Sequence, residues 1–325
     1  MLDVNDFSKK QILVYRPTVG DKISYSNDNI VIKSSDGNIK YQQTCFRIFM
    51  LLVIGDCTLT TGIIRRAKKF GFAICFMTIS FRIYGILNAG MEGNTRLREK
   101  QYLYSDIAIG RHLIINKIDN QLRTLKKIRK KTPYDKEGIS ILEGYIYKLS
   151  NMERIERDEL LSIEGNAAKV YFSRLFSNSG WNGRKPRIKV DYINALLDIG
   201  YTALFNLIDA ILEVFGFDIY KGVLHTNFYM RKSLVCDIME PFRPIIDWKI
   251  RTGINLGQFK QNDFIQIDNK WQLEYKNSSR YLAVFIEELV GYKEEIFIYI
   301  RTYYRNFMKD RNVSEYSFFY VDGEE

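Results

Sequence analysis

The apolar residues of this 325-residue chain change their spacing once, near residue 90, and that change limits the possible folds more than any other feature. Before it they come in short β-branched and aromatic runs, suited to strands that bury alternate residues. After it they recur every three or four residues over long spans, the spacing that keeps one helical stripe against a core. The chain therefore reads as α+β, with a β-rich domain at 1–90, a linker at 91–98 and a larger helical domain at 99–325.

Strand-like runs lie at 12–15, 23–26 and 30–33, separated by Gly20-Asp21 and Asn27-Asp28-Asn29. Ser35-Asp36-Gly37-Asn38 predicts a turn into a further strand at 39–42. The stretch 46–54 is so uniformly apolar that periodicity leaves buried strand and buried helix both open. Thr60 and Thr61 open a short helix with Ile63, Ile64, Ala67 and Phe70 inward, stopped by Gly71. Two more strands are expected at 72–79 and 82–87. Asn88-Ala89-Gly90-Met91-Glu92-Gly93-Asn94 is small, polar and twice broken by glycine, as a connector would be. Long helical patterns follow around 107–125, 191–215 and 279–307, with a small hairpin at 264–267 and 271–275.

The longest apolar stretch, 46–54, already contains Arg47 and is too short to span a bilayer. No charged-then-apolar segment opens the chain as a signal peptide would. Cys45, Cys57, Cys75 and Cys236 form no CxxC pair, so they read as buried thiols of a reducing cytoplasm. These features exclude a membrane protein and a disulfide scaffold from the expected classes.

Net charge is +10, and it is unevenly spread. Residues 96–131 carry eleven Lys/Arg, including Lys117, Arg123, Lys126, Lys127, Lys130 and Lys131, against Glu99, Asp106 and Asp119. Such a patch attracts polyanions, although a solvated helix face would look the same. A second basic cluster is Arg184, Lys185, Arg187 and Lys189, and a third is Arg231-Lys232. A proline-containing basic loop of the Arg184–Arg187 kind could clamp a backbone phosphate.

The chemistry-bearing residues are few. Of two histidines, His112 lies inside the basic helix and reads as a packing residue, whereas His225 follows a break after Gly222. Asp237 and Glu240 come next, three apart, a spacing that puts two carboxylates on one helical face. Pro241 and Pro244 then restrict the backbone behind Glu240. Glu164 is flanked by Gly165, Ala167 and Ala168, which permit close approach of a ligand, or merely of another helix. Two carboxylates and an imidazole suit Mg²⁺ or Mn²⁺, but spacing alone does not bring Glu164, His225 and Glu240 together.

The order of these motifs resembles that of the CRISPR-associated integrase family, the endonucleases of spacer acquisition. The similarity rests on Glu164-Gly165-Asn166-Ala167-Ala168, on Asp191, Asn194, Leu196, Leu197, Gly200 and Tyr201 at family spacing, and on Gly222 to His225. It is most specific in Asp237-Ile238-Met239-Glu240-Pro241-Phe242-Arg243-Pro244-Ile245-Ile246-Asp247, and Lys117-Ile118-Asp119-Asn120-Gln121 resembles the family's first long helix. The wording is closest to integrases of single-effector systems, types II and V. Where many members place glycine and a basic residue just after the histidine, this chain has Thr226-Asn227-Phe228-Tyr229.

The resemblance implies Glu164, His225 and Glu240 as ligands of Mg²⁺ or Mn²⁺, Asp237 as an active-site neighbour, and Asn194 and Tyr201 lining the site. It implies double-stranded DNA as substrate, a homodimer built through the β-rich domain, and CRISPR-associated protein two as partner. Two readings from other classes stand beside it: a non-catalytic nucleic-acid-binding protein that uses the 96–131 helix, and a stand-alone nuclease for branched DNA.

Overall fold

The computed structural model describes residues 3–78, 83–87, 94–177, 179–181, 183–185, 188–225 and 229–323. The stretch expected to act as a linker falls outside these residues up to position 93, as does Arg187 of the basic loop.

A short helix α1 (Val4–Ser8) precedes β1 (Gln11–Tyr15), β2 (Lys22–Ser26), β3 (Asn29–Lys33) and β4 (Ile39–Thr44). The β2–β3 turn is Asn27-Asp28, both at positive φ, the backbone that Asn and Asp tolerate best among side-chain-bearing residues. Next come β5 (Ile48–Ile54), β6 (Thr58–Leu59), α2 (Thr61–Phe70), β7 (Ala73–Met77) and β8 (Ile83–Leu87). They form two four-stranded sheets, ordered β1-β5-β7-β8 and β4-β3-β2-β6.

The undecided stretch 46–54 is a strand because it is the central one. β5 pairs in parallel with β1 on one side and β7 on the other, and all seven of its residues are buried. Ile48, Leu51 and Val53 join Ile23, Ile32, Ile63 and Phe72 in a core between the sheets and α2. Phe49, Leu52 and Ile54 face the opposite way, into the core of the helical region. A strand buried on both faces loses the apolar–polar alternation that would have identified it.

The helical region contains α3 (Thr95–Leu103), α4 (Ala108–Lys126), α5 (Pro133–Asn151), α6 (Arg157–Leu175), α7 (Tyr192–Phe215), α8 (Ser233–Ile238) and α9 (Arg243–Asn255). A hairpin of β9 (Phe264–Ile267) and β10 (Lys270–Leu273) leads to α10 (Ser278–Gly291) and α11 (Lys293–Met308). The long pattern at 279–307 is thus two helices, broken at Tyr292. α7 is long and apolar enough to cross a membrane by composition, a property hidden by reading only uninterrupted apolar runs. Its most apolar window is 83% buried within the protein, as the central helix of a globular core would be. Gly200 lets α9 approach it closely, since a Cβ there would lie 2.4 Å from Ile246 Cγ2.

α4 carries a buried polar seam. Asn116 and Asn120 are fully buried and bind the extended backbone of residues 317–321 as a neighbouring strand would. Asn116 donates to Phe319 O (2.7 Å) and accepts from Phe319 N (2.9 Å). Asn120 donates to Phe319 O (2.8 Å) and accepts from Val321 N (2.8 Å). Its amide also donates to Pro241 O (3.1 Å). The C-terminal strap is thereby tied to the turn that carries Glu240. Replacing Asn120 by Ala should cost about 2–3 kcal/mol, because buried backbone groups lose their partners. Chemical denaturation measures that loss, and faster amide exchange at Val321 should accompany it. Unchanged exchange there would mean that the strap is held by other contacts.

Candidate active site

Glu164 comes from the middle of α6, Glu240 from a 3-10 turn between α8 and α9 (Glu240–Phe242), and Lys117 from α4. The Lys117 ammonium lies between the two carboxylates. It donates a hydrogen bond to Glu164 Oε1 and sits 2.6 Å from Glu240 Oε2. Arg243 Nε approaches the same Glu240 oxygen at 2.9 Å. Neither Oε2 of Glu240 nor Nε of Arg243 completes a hydrogen bond of good geometry, although both are buried. Burial by itself would push the Glu240 carboxyl up. The fields of Arg243, Lys117 and His225 outweigh it and hold the carboxyl well below the usual range. Burial likewise works against the Lys117 charge, and Glu164 and Glu240 reverse that, raising its pKa.

The expected pairing of Asp237 and Glu240 on one helical face does not form. α8 ends at Ile238, and the proline-containing 3-10 turn redirects Glu240 toward Lys117. Asp237 turns the other way and is fully buried. Its Oδ2 accepts from the Val223 (2.7 Å) and Leu224 (2.9 Å) amides, and its Oδ1 from the His225 amide (3.2 Å). His225 Nδ1 lies 2.5 Å from the same Oδ1. A carboxylate in that place favours the Nδ1–H tautomer and leaves Nε2 as the free lone pair. Gly222 is needed for this approach, since a Cβ there would sit 2.6 Å from Asp237 Oδ2. Asp237 is therefore an orienting residue, and Arg243, the other partner conceivable for it, pairs with Glu240.

Glu164, Glu240 and Lys117 line a cavity of about 1270 Å³ together with Arg184, Lys189, Tyr201, Arg231, Lys232, Arg243, Asp247 and Lys270. Its wall is rich in cations. Tyr201 donates to Asp247 Oδ1 at 2.5 Å and lies under the Arg243 guanidinium, 4.6 Å from the ring centre. Burial pushes the Asp247 carboxyl up to about 7, against the opposing pull of Tyr201 and Arg243.

Asn194 does not line the cavity. It is fully buried at the start of α7 and holds the basic loop, donating to Gly183 O (3.0 Å) and accepting from Lys185 N (2.9 Å) and Arg184 Nη1 (3.1 Å). Arg184 is thereby held at the wall, while Lys185 points to solvent. Lys232 reaches the wall as well and is paired with buried Asp209 at 2.6 Å.

The basic segment 96–131 is in part spent on contacts within the protein. Arg123 pairs with Asp119 (2.8 Å) and Asp322 (2.9 Å), and Lys126 with Glu143 (2.8 Å). Lys127 and Lys131 donate to the carbonyls of Val321 and Ile128. Arg111 and Lys100 bind further carbonyls, and His112 packs under the strap with Nε2 3.1 Å from Ser317 O. Arg96, Arg98, Lys126, Arg129 and Lys130 remain exposed. Sequence reasoning counted Lys117 among the surface charges, placed Lys189 in the basic loop, and gave no role at the cavity to Arg243, Lys270 and Asp247. The only signal for the first was its place in the Lys117-Ile118-Asp119-Asn120-Gln121 run.

Among the described residues, no three of His, Cys, Asp or Glu converge as a ready-made metal cluster. Two carboxylates on one ammonium and an imidazole with its Nε2 free are nonetheless the right donor types for a hard divalent ion. What holds the carboxylates together here is Lys117.

The chain is 29% identical over 241 residues to the CRISPR-associated endonuclease Cas1 1 of Thermodesulfovibrio yellowstonii, covering 71% of this chain and 76% of that one. The Cas1 4 endonuclease of Methanospirillum hungatei is 25% identical, over 85% of this chain and 79% of its own length. Among solved structures, a Cas1 protein from Thermotoga maritima superposes with a TM-score of 0.78 at 19% identity, over 97% of this chain and all of that one. A casposase bound to integration product gives 0.76 at 19% identity, with 96% of each chain covered. A chain of a Cas6-RT-Cas1–Cas2 complex gives 0.79 at 23% identity, and this chain spans 36% of its length. The family model described as CRISPR associated protein Cas1 matches residues 14–287, most of the sequence, and the chain belongs to the Cas1 family.

Proposed function

We propose that this protein is the integrase-nuclease of CRISPR adaptation, acting on double-stranded DNA at the cavity between α4, α6, α7 and the Glu240 turn. The observation that carries the reading is the meeting of Glu164 and Glu240, 76 positions apart in sequence, on one buried ammonium beside a cation-lined cavity. Buried acids are costly to keep, and a basic wall suits a phosphodiester. The relatives named as endonucleases and the casposase neighbour support the same reaction class.

In this reading Glu164, Glu240 and His225 would hold Mg²⁺ or Mn²⁺, which supplies charge neutralisation at the phosphoryl group and the leaving oxygen. The chain's own residues do the rest. Asp237 fixes the imidazole, Arg243 and Lys117 counter the carboxylates, and Arg184, Lys189, Arg231, Lys232 and Lys270 bind and orient the DNA backbone. A 3′-hydroxyl of the spacer fragment then attacks the phosphorus of a repeat phosphodiester and releases the 3′-hydroxyl of the cut strand, without a protein-bound intermediate. The Cas1–Cas2 assemblies among the structural neighbours favour CRISPR-associated protein two as partner. The homodimer joined through the β-rich domain and the cytoplasmic location belong to the same proposal. A purely DNA-binding role on the 96–131 segment fits less well, since Arg111, Lys117 and Arg123 are paired within the protein.

Glu164→Ala, His225→Ala and Glu240→Ala should each abolish integration into a supercoiled repeat plasmid while circular dichroism stays native. A folded His225→Ala with near-wild-type integration would refute the site.

Asp237→Asn should lower activity by roughly 10–100-fold, with partial rescue by excess Mn²⁺, because it orients the imidazole rather than acting as a ligand. Glu240→Gln should not be rescued. Activity titrated against Mn²⁺ for both variants decides this, and the opposite pattern would exchange their roles.

Neutralising Lys189 and Lys270 together should flatten the plot of log affinity against log salt by about 1–2 units. If the slope instead follows loss of Lys126 and Lys130, the DNA path runs over the exposed end of α4.

A further inference from the structure

Lys117 has no role in the reading above beyond compensating charge, yet its position is the one that a divalent ion would need. The side chain of Lys117 is 8% exposed, that of Glu240 6% and that of Glu164 23%, so the contact with Glu240 is fully withdrawn from solvent and the contact with Glu164 half-buried. The ammonium contacts Glu164 and Glu240 at once, on the cavity side of α4, and Lys117 itself lines the cavity. Two carboxylates are balanced locally by Lys117 and Arg243. A divalent ion added to that group with both cations in place would bury excess positive charge, which is unfavourable. Arg243 is confined: its guanidinium lies over the Tyr201 ring and against Glu240. Lys117 is not so confined, because a four-carbon stem with a point charge can swing into the adjoining cavity.

We infer that Lys117 is an exchangeable internal counter-ion, holding Glu164 and Glu240 together in the metal-free protein and ceding its place between them when a divalent ion binds. The inference rests on the metal-binding reading of this site and adds a competitor to it. Lys117 is thus a positioning residue that keeps the two carboxylates converged before the metal arrives. The affinity for the ion includes the cost of moving the ammonium aside.

The test is a Mn²⁺ titration followed by the electron paramagnetic resonance signal of the free ion, with thermal melting in parallel, on full-length wild type and Lys117→Met. Methionine keeps much of the side chain's shape and removes its charge. Without metal, Lys117→Met should melt roughly 5–10 °C below wild type, because buried Glu240 and half-buried Glu164 lose their shared partner. Mn²⁺ should restore most of that loss, and should bind Lys117→Met about tenfold more tightly than wild type. Should Lys117→Met prove too unstable to purify without metal, Lys117→Met/Glu164→Gln supplies the second measurement. Removing one of the two charges should return the metal-free melting temperature toward wild type.

Equal or weaker Mn²⁺ binding by Lys117→Met, with binding lost in Glu164→Gln, would overturn the exchange and leave the metal site standing. A double variant no more stable than Lys117→Met would also overturn it. Absence of Mn²⁺ binding from wild type and Lys117→Met alike would overturn the metal reading and this inference together.

Discussion

Two carboxylates on separate elements, Glu240 buried and Glu164 half-buried, share one buried ammonium, and the packing of α4 makes this possible. An uncompensated buried carboxylate would take up a proton or drive the site open. Lys117 and Arg243 prevent both for Glu240, and Lys117 pairs with Glu164 as well. α4 packs directly against both α6 and the Glu240 turn, so its position relative to them is also the geometry of the site. The same helix holds the turn from behind, through the Asn120 bond to Pro241. That residue binds the C-terminal strap as well, so the strap and the turn share one clasp.

The molecule carries its positive charge in two ways. Along 96–131 it closes salt bridges, caps carbonyls and secures the strap, all of which hold the helical region together. Around the cavity, cations from a loop before α7, a segment before α8, the start of α9 and the β9–β10 hairpin converge, although they are scattered in sequence. The first group is conspicuous as a run and in part structural. The second is inconspicuous as a run and faces the site. Some of the second group are paired as well, Arg184 with Asp198 and Lys232 with Asp209, but they stand at the cavity wall.

The β-rich part is attached to the helices by more than a connector. β5 offers one face to the core between its own sheets and the other to the helical core. Phe7 of α1 stacks on Phe297 of α11 with ring centres 4.2 Å apart, and Lys293 donates to the carbonyls of Ser8 and Lys10. These contacts seat the first strands against the last helix.

Sequence by itself determined the α+β character, the turns at Asn27-Asp28 and Gly37, the short helix ending at Gly71 and the small hairpin, since each depends on neighbours within a few residues. It also carried the family, through the residues around Glu164, His225 and Glu240. It left 46–54 undecided, because burial on both faces erases periodicity, and it joined α10 and α11 into one pattern. Only tertiary structure could separate Asp237 from Glu240, since the 3-10 turn at Pro241 rotates one away from the other. Only it could turn Lys117 from a surface charge into the link between two acids, and Asn194 from a wall residue into the anchor of Arg184. Those roles depend on which side chains come within about 3 Å across elements far apart in sequence, the distance at which hydrogen bonds and buried ion pairs act.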